Sequence, residues 1–188
     1  MKFILASQSP RRKEILNKAN LDFKVIPSKI DESKIDILLK PTDYCIKLAE
    51  LKAIDVSKQY NNFTVIGADT IVVVNNKILN KPADYNEAFN MLKMLSNNTH
   101  QVITGVSLQN RSLGINHNFY DKTEVTFYKL DDNEIKRYIK NYNPMDKSGS
   151  YGIQDGSALF VHKIVGSYDN IVGFPISKFY QYLKQINK

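Results

Sequence analysis

The sequence predicts an α/β protein of mixed α+β type, built around a mixed, partly antiparallel sheet. Strand-like and helix-like segments alternate along the whole chain, with no internal repeat and no linker-like spacer. The pair Asn75-Asn76 lies between two apolar runs and indicates a hairpin, which a purely parallel sheet does not contain. A chain of 188 residues, 43% of them hydrophobic, is long enough to bury its own core. We therefore expect one domain over residues 1–188.

Short apolar runs bounded by polar or turn residues predict the strands. The hairpin turn joins the longest run to a short strand over residues 77–79. Apolar and polar residues alternate in the run that ends at Tyr128, which indicates a half-exposed strand. The six apolar runs are Phe3–Ala6, Phe23–Ile26, Val65–Val74, Val102–Leu108, Thr123–Tyr128 and Ala158–Val165.

Capping signals and a 3.6-residue apolar period predict the helices. Ser9 followed by Pro10 is a typical helix start, and two later helices begin at an aspartate with a glutamate three residues on. The segment from Pro27 to Pro41 lacks periodicity and is predicted to be a loop with little local structure. The predicted helices begin near Ser9, Asp43, Asp84, Asp131 and Pro175 and end near Ala19, Tyr60, Leu95, Tyr142 and Ile186.

The cysteine count, the apolar stretches and the net charge limit the classes of protein to which the chain can belong. Cys45 is the single cysteine, so the chain forms no intramolecular disulfide. The opening residues MKFILAS are too short an apolar stretch for a signal peptide, and no stretch approaches the roughly 20 apolar residues of a membrane helix. We therefore expect a cytoplasmic protein. The net charge of +7 favours anionic partners, but the lysines are scattered singly, so we expect no stable nucleic-acid complex.

Asp69 interrupts the longest apolar run of the sequence. A carboxylate in a buried strand is costly unless it is paired, hydrogen-bonded or bound to a cation. Asp69 is therefore a candidate functional residue. The alternatives are an aspartate on an exposed face or one tied to a neighbouring loop amide.

Lys52 lies on the apolar face of the second predicted helix. That face is formed by Cys45, Leu48, Ala49 and Val56, and Lys52 falls within it at helical spacing. A lysine on a core-facing side either extends to the surface at an edge or meets an anion. Both possibilities stay open from position alone.

Arg11 and Arg12 fall in the first turn of the first predicted helix. A helix N-terminus presents free N–H groups and a partial positive charge, and it binds anions readily. Two guanidinium groups there oppose the helix dipole unless an anion neutralises them. The pair therefore favours a phosphate site.

Other polar residues carry weaker signals. Lys81, before Pro82 on a rigid loop, could reach the same anion or be a surface lysine. Asp31 and Glu32 are adjacent carboxylates in an irregular loop, where they either hold Mg²⁺ or Mn²⁺ or are solvated. The three histidines are far apart and lack zinc spacing, and the chain has no Walker loop or GxSxG motif.

Six motifs, in order along essentially the whole chain, resemble the Maf family of nucleoside triphosphate pyrophosphatases, also called septum formation proteins. The motifs are LASQSPRR at Leu5–Arg12, GADT at Gly67–Thr70, Lys81-Pro82, THQVITGV at Thr99–Val106, SGSYGIQ at Ser148–Gln154 and GFP at Gly173–Pro175. The resemblance implies a two-lobed structure with a deep cleft, similar to the inosine triphosphate pyrophosphatases, and a homodimer. It also implies the reaction, in which water and a nucleoside triphosphate give the monophosphate and pyrophosphate with help from a divalent cation, Mg²⁺ or Mn²⁺.

The resemblance assigns roles to the candidate residues. Asp69 would be the proton acceptor that activates water, close to the metal. Glu32 would be a metal ligand. The cationic positions Arg11, Lys52 and Lys81 would hold the triphosphate, whose negative charge opposes attack by water.

Other positions that match the family pattern imply which nucleotide is the substrate. Thr70 and Gln154, together with Arg11, match positions associated with specificity, and the Tyr-Gly-Ile-Gln form resembles the branch that acts on dTTP and UTP. Ser7 and Ser9 of the first motif are further substrate-binding candidates. Such an enzyme would prevent incorporation of non-canonical nucleotides, and modified pyrimidine triphosphates fit the same site.

Three positions depart from the family pattern. Ser148 and Ser150 replace alanines, and Phe174 replaces leucine; we expect only small effects on packing. The alternative functions are a 7-methyl-GTP pyrophosphatase, a nucleotide-sensing regulator of cell division and, on the charge alone, a nucleic-acid-binding module.

Overall fold

The computed structural model describes residues 1–35 and 38–186. Residues 36 and 37 of the predicted loop over 27–41 lie outside the described residues. The strands are β1 (Phe3–Leu5), β2 (Phe23–Val25), β3 (Thr64–Val74), β4 (Lys77–Leu79), β5 (Thr99–Asn110), β6 (Ile115–Phe127) and β7 (Val161–Val165). The α-helices are α1 (Pro10–Asn17), α2 (Pro41–Ser57), α3 (Tyr85–Leu95), α4 (Asp132–Tyr142), α5 (Tyr168–Val172) and α6 (Ile176–Ile186). Within these residues, none of the helices combines the length and apolarity needed to cross a membrane.

The strands form one mixed sheet in the order β2-β1-β3-β5-β6-β7, with β4 paired to β3 outside this path. Strand β1 pairs in parallel with both β2 and β3, whereas β4 pairs antiparallel to β3 and β7 antiparallel to β6. The hairpin turn at Asn75 and Asn76 has positive φ at both residues, 48° and 60°, as a tight hairpin with this twist requires. The predicted α/β fold with a partly antiparallel sheet is confirmed.

The chain divides into two compact units. The first unit comprises residues 1–70, 104–121 and 173–188, and the second comprises residues 71–103 and 122–172. Strands β3, β5 and β6 each contribute residues to both units. The two units are described separately below.

In the first unit, helix α2 packs against strands β1 and β3. Their contact is a cluster of buried aliphatic side chains: Ile4, Ala6, Ala53, Val56 and Val65. The cluster explains the predicted apolar face of α2, because its members on the helix recur at helical spacing and face the sheet.

In the second unit, α3 and α4 contact each other, and an aromatic cluster fills the interior. His100, Phe127 and Tyr151 meet edge to face, with ring centroids 4.9–5.3 Å apart. Edge-to-face packing places positive ring edges on negative ring faces and stabilises such clusters beyond their burial. Phe160 packs on Phe127 in the same manner.

Three of the predicted helix starts are confirmed in detail, whereas α2 begins at Pro41, two residues before the predicted Asp43. The Ser9 hydroxyl accepts from the backbone N–H of Arg12, and Asp84 accepts from the N–H of Glu87. Asp131 caps α4 in a reciprocal capping box. Side-chain caps depend on residues three apart in sequence, which is why local spacing was sufficient to predict them.

Four segments differ from the expectation. Strands β5 and β6 are longer than predicted, because pairing between neighbouring strands extends them through polar residues that show no apolar pattern. Residues Gly156–Phe160 form a 3₁₀ helix capped by Asp155, so the strand predicted from Ala158 begins only at Val161. Helix α5 was not predicted, since five residues are too few to show a period.

The buried His100 makes stability depend on pH. Its side chain is 1% exposed, Nε2 lies 2.7 Å from the Tyr151 hydroxyl, and burial lowers the pKa of His100 to about 3 from an ordinary 6.5. Between these two values the unfolded chain binds a proton that the folded chain does not. The free energy of unfolding should therefore fall as pH decreases below 6.5, by up to about 1.4 kcal/mol per pH unit from this group.

Urea unfolding at pH 7, 6, 5 and 4 measures this slope. His100→Phe should flatten the slope even though it loses the bond to Tyr151, whereas the same change at the exposed His162 should leave the slope unchanged. An identical slope in His100→Phe would show that other groups cause the acid sensitivity.

Candidate active site

Two glycines let helix α2 approach the sheet closely in the first unit. A Cβ atom on Gly67 of β3 would lie 2.0 Å from the carbonyl oxygen of Ala49, and one on Gly105 of β5 would lie 2.5 Å from that of Cys45. Any side chain at either position would therefore push the helix away. The close approach brings the middle of α2 next to residue 69.

Lys52 of α2 meets two carboxylates at this point. Its Nζ lies 2.7 Å from Oδ1 of Asp69 on β3 and 2.9 Å from Oε1 of Glu32, the first residue of a short 3₁₀ helix. Lys52 and Asp69 are each 8% exposed as whole residues, whereas the Glu32 side chain is 52% exposed. A buried charge is tolerated only with a partner, so the ammonium and the Asp69 carboxylate depend on each other.

This geometry decides between the alternatives that the sequence left open. Lys52 does not extend to the surface but ends on two carboxylates, and Asp69 is not on an exposed face. Glu32 is paired with Lys52, while its neighbour Asp31 accepts from the backbone and hydroxyl of Ser33 and caps the short helix. Glu32 is therefore paired with a lysine rather than solvated, and its role as a metal ligand stays a prediction.

The Cys45 thiol holds the backbone of Asp69 through a hydrogen bond to its carbonyl oxygen. The thiol donates to the carbonyl oxygen of Asp69 at 3.1 Å and accepts from the N–H of Gly105 at 3.0 Å, so it links α2, β3 and β5. Burial, with the nearby Asp69 charge, raises the pKa of the Cys45 thiol, and it therefore stays protonated as a donor. Sequence reasoning placed Cys45 on the apolar face but gave no sign of these bonds.

Arg12 is held entirely by neutral oxygens. Nε donates to the Gly173 carbonyl at 3.0 Å, Nη1 to the Ser7 hydroxyl at 3.0 Å and Nη2 to the Thr70 hydroxyl at 3.1 Å. These bonds join the start of α1 to β3 and to the segment before α6. Protein dipoles thus solvate the Arg12 charge, and the expectation that an anion neutralises the two arginines stays a prediction. Burial nevertheless lowers the pKa of Arg12.

The Thr70 hydroxyl has used its hydrogen-bonding capacity. It accepts from Arg12, lies 3.0 Å from the Thr104 hydroxyl and donates to the Gly173 carbonyl at 3.4 Å. A hydroxyl has one hydrogen and two lone pairs, so these three partners satisfy it. Thr104 was not singled out from the sequence, since a threonine in a β-strand carries no functional signal of its own.

The other residues of the first motif lie around the start of α1. The Ser7 hydroxyl accepts from Arg12 and from the N–H of Ser9, which occupies both of its lone pairs and leaves its hydrogen to donate. Ser9 caps the helix. Arg11 lies half-buried in the first turn of the helix. The first unit thus contains seven of the nine predicted site residues: Ser7, Ser9, Arg11, Glu32, Lys52, Asp69 and Thr70.

Lys81 belongs to the second unit and is exposed, after β4. The backbone that leads to it is held by the segment containing Ser148. The Ser148 hydroxyl accepts from the N–H of Val72 and donates to the carbonyl of Leu79, two residues that are opposite each other in the hairpin. Alanine could not make these bonds, so Ser148 does more than pack.

Gln154 is also in the second unit, with an exposed side chain. Its neighbours Tyr151 and Ile153 are buried and fix the backbone on one side. On the other side, Asp155 caps the 3₁₀ helix by accepting from the N–H of Ser157. Gln154 is thus presented on an ordered turn.

The carboxylates suit a divalent cation that a ligand helps to hold. Among the described residues, no cluster of three or more histidine, cysteine or acidic side chains could bind a metal on its own. Glu32 and Asp69 direct oxygens at one point, the Lys52 ammonium. Mg²⁺ is commonly held by one or two carboxylates with water and phosphate oxygens completing its shell, and these two residues fit that pattern.

Comparison with known proteins places these residues in a family. The family model described as Maf-like protein matches residues 2–186. The chain is 46% identical over 186 residues to the dTTP/UTP pyrophosphatase of Bacillus cytotoxicus, covering 99% of this chain and 96% of the relative. It is 50% identical over 175 residues to the dTTP/UTP pyrophosphatase of Bacillus pumilus, covering 93% and 91%. The chain therefore belongs to the Maf family.

Among solved structures, the chain is similar to a nucleoside-triphosphatase, a dITP/XTP pyrophosphatase, from Mycobacterium abscessus. The TM-score is 0.45 at 12% identity, over 69% of this chain and 76% of the other.

We expect Lys52→Met to destabilise the protein, because it leaves the buried Asp69 carboxylate without its partner. The free energy of unfolding should fall by about 3 kcal/mol. Added Mg²⁺ or Mn²⁺ should restore part of the loss by replacing the missing positive charge between Glu32 and Asp69. Urea unfolding with and without each cation measures both effects.

The matched control is Lys47→Met on the same helix. Lys47 is exposed and pairs with Glu50 at the surface, so its removal should cost less than about 1 kcal/mol and be insensitive to the cations. If the two variants were equally stable, the pair of Lys52 and Asp69 would contribute nothing to the fold.

Proposed function

We propose that this protein is a nucleoside triphosphate pyrophosphatase that hydrolyses dTTP and UTP to the monophosphate and pyrophosphate. The observation that carries the proposal is the identity of 46–50%, over nearly the full length, to relatives named dTTP/UTP pyrophosphatase. The charge cluster around Lys52 supports it, because a structural role alone does not require two carboxylates around one lysine where helix α2 meets strand β3.

In the proposed reaction, a water oxygen attacks the α-phosphorus. A bond forms between them, the bond from the α-phosphorus to the oxygen shared with the β-phosphate breaks, and pyrophosphate leaves. Asp69 accepts the proton of the attacking water. The Cys45 thiol and the Lys52 ammonium hold the backbone and side chain of Asp69 for this task, so that no reorganisation is needed when the water arrives.

Positive charge is needed because the triphosphate carries about four negative charges, which repel the nucleophile. Arg11 in the first turn of α1 would grip phosphate oxygens in two places, and Lys52 and Lys81 would act as point charges. Ser7 would donate its free hydroxyl hydrogen to a phosphate oxygen, and Ser9 would contribute by starting the helix whose N-terminus favours anions. Thr70 would act on substrate choice indirectly, by holding Arg12.

Glu32 and Asp69 would hold the divalent cation, Mg²⁺ or Mn²⁺. When bound, such a cation neutralises phosphate charge and lowers the pKa of a coordinated water. Glu32 is the more exposed of the two carboxylates and is therefore free to turn from Lys52 to a cation that arrives with the nucleotide.

Gln154 would recognise the base. Its amide offers both a donor and an acceptor, as the edge of a pyrimidine requires. The proposal extends to modified pyrimidine triphosphates, whose removal would keep non-canonical nucleotides out of nucleic acids. It also includes a homodimer, as the family resemblance implies, and a cytoplasmic location, as the composition predicts.

The first test is pyrophosphate release by the purified protein against a panel of nucleotides. The panel holds dTTP, UTP, CTP, the purine triphosphates, 5-methyl-UTP and 7-methyl-GTP, each with Mg²⁺ and with Mn²⁺. We expect release from dTTP and UTP and none from 7-methyl-GTP. Release in the absence of any divalent cation, with chelator present, would contradict the role given to Glu32.

Other outcomes separate the alternatives. Turnover confined to 7-methyl-GTP would keep the reaction and overturn the assignment of Gln154. Nucleotide binding without turnover would favour the sensing regulator. A strongly salt-dependent affinity for DNA or RNA would favour the nucleic-acid-binding module.

Asp69→Asn should reduce the kcat for dTTP by about 10²-fold or more, because the amide cannot accept the proton of water. The fold should survive, since the amide oxygen still accepts from Lys52. Pyrophosphate release at saturating dTTP measures kcat, and urea unfolding measures stability. Asp55→Asn is the control, because Asp55 lies on the neighbouring helix α2 and accepts from Ser28 and Lys29 instead of Lys52. Parental kcat in Asp69→Asn would remove the proton-acceptor assignment.

A further inference from the structure

The turn that presents Gln154 is tied to helix α4 through a single hydroxyl group. Tyr138 of α4 donates to Oδ1 of Asp155 at 2.9 Å and accepts from the N–H of Gly152 at 3.2 Å. Gly152 precedes Ile153 and Gln154, and Asp155 follows them. One oxygen atom therefore fixes the chain on both sides of Gln154.

The turn is closed by its own bonds as well. The carbonyl of Gly152 accepts from the N–H of Asp155 at 3.0 Å and from the Ser157 hydroxyl at 2.7 Å. Oδ1 of Asp155 also accepts from the N–H of Ser157 at 3.0 Å. With Tyr138 these groups form one network, in which each bond restrains the backbone of the same short segment.

Tyr138 is itself rigid. It is 3% exposed, its ring packs edge to face on Phe160 at 5.2 Å, and it stacks on Tyr142 one turn further along α4. Burial raises the pKa of Tyr138, so that at neutral pH the phenol keeps the hydrogen it donates. The network is therefore anchored to a buried ring on a capped helix.

An exposed glutamine discriminates between bases only if its backbone is held in place. The amide of a mobile residue can follow the edge of a wrong base as easily as that of the right one, and the free-energy difference between the two is then lost. The network around Gln154 supplies this restraint from residues that are not among the predicted substrate ligands.

We propose that Tyr138, acting through Asp155 and Gly152, is a positioning residue that determines base selectivity by holding Gln154. The inference rests on the proposed function, in which Gln154 recognises the pyrimidine. Tyr138 does not touch the nucleotide. Its hydroxyl affects binding of the correct base more than it affects the chemical step.

The test compares Tyr138→Phe with the parent protein. The variant keeps the packed ring and loses the hydroxyl. The ratio of kcat/KM for dTTP to that for dGTP should fall about tenfold, which corresponds to one lost hydrogen bond of the stronger kind. The loss should lie in a raised KM for dTTP, with kcat at saturating dTTP within about twofold of the parent.

Matched variants separate this role from simple loss of stability. Tyr142→Phe removes a hydroxyl from the same helix that has no hydrogen-bond partner within the described residues, and the ratio should not change. Asp155→Ala should lower the ratio as Tyr138→Phe does. Asp155→Asn should preserve it, because the amide oxygen can still accept from Tyr138 and Ser157. If Tyr138→Phe does not fold, the two Asp155 variants carry the test.

Gln154→Ala is measured alongside to distinguish two kinds of failure. If Gln154→Ala lowers the ratio and Tyr138→Phe leaves it unchanged, the positioning role is overturned while the proposed function stands. If Gln154→Ala itself leaves the ratio unchanged, base recognition by Gln154 is wrong and this inference fails with it. Amide hydrogen exchange of residues 152–157 shows whether the turn loosened in each variant.

Discussion

The ion pair of Lys52 and Asp69 requires helix α2 to lie directly against strand β3. A lysine side chain is long, yet here its ammonium stays buried, because the helix backbone almost touches the strand at Gly67. Removing two charges from water is costly, and only short contacts between them offset that cost. The glycines and the pair therefore depend on one another: without the close approach, Lys52 would extend into solvent and Asp69 would be buried alone.

The free-energy cost of removing a charge from water is offset differently at Arg12. Its guanidinium group donates to a carbonyl and two hydroxyl oxygens, so three neutral dipoles solvate its charge. Because its planar group donates in three directions, Arg12 connects three separate chain segments of the first unit, which a lysine could not do. Two adjacent arginines thus differ in role: Arg12 organises the start of α1, and the proposed phosphate contact belongs to Arg11.

The second unit fixes its exposed residues through buried ones. Ser148 bridges the hairpin just before Lys81, and Tyr138 holds both sides of Gln154. In each case a hydroxyl group bonds to a chain segment that is distant from it in sequence. Such a framework keeps the backbone of solvent-exposed side chains in a fixed position, which binding of a small ligand requires.

The amino-acid sequence was sufficient to predict the elements whose causes are local: the caps at Ser9, Asp84 and Asp131, the hairpin at Asn75-Asn76 and the apolar face of α2. It also marked Asp69 and Lys52, because a charge in an apolar pattern is visible without a structure. The pairing of these two charges, the three neutral partners of Arg12 and the bonds of Tyr138 to the turn of Gln154 could not be predicted and appear only in the folded chain. The reason is physical: caps and turns arise between residues a few positions apart, whereas hydrogen bonds such as that between Arg12 and Gly173 depend on chain segments that folding alone brings together.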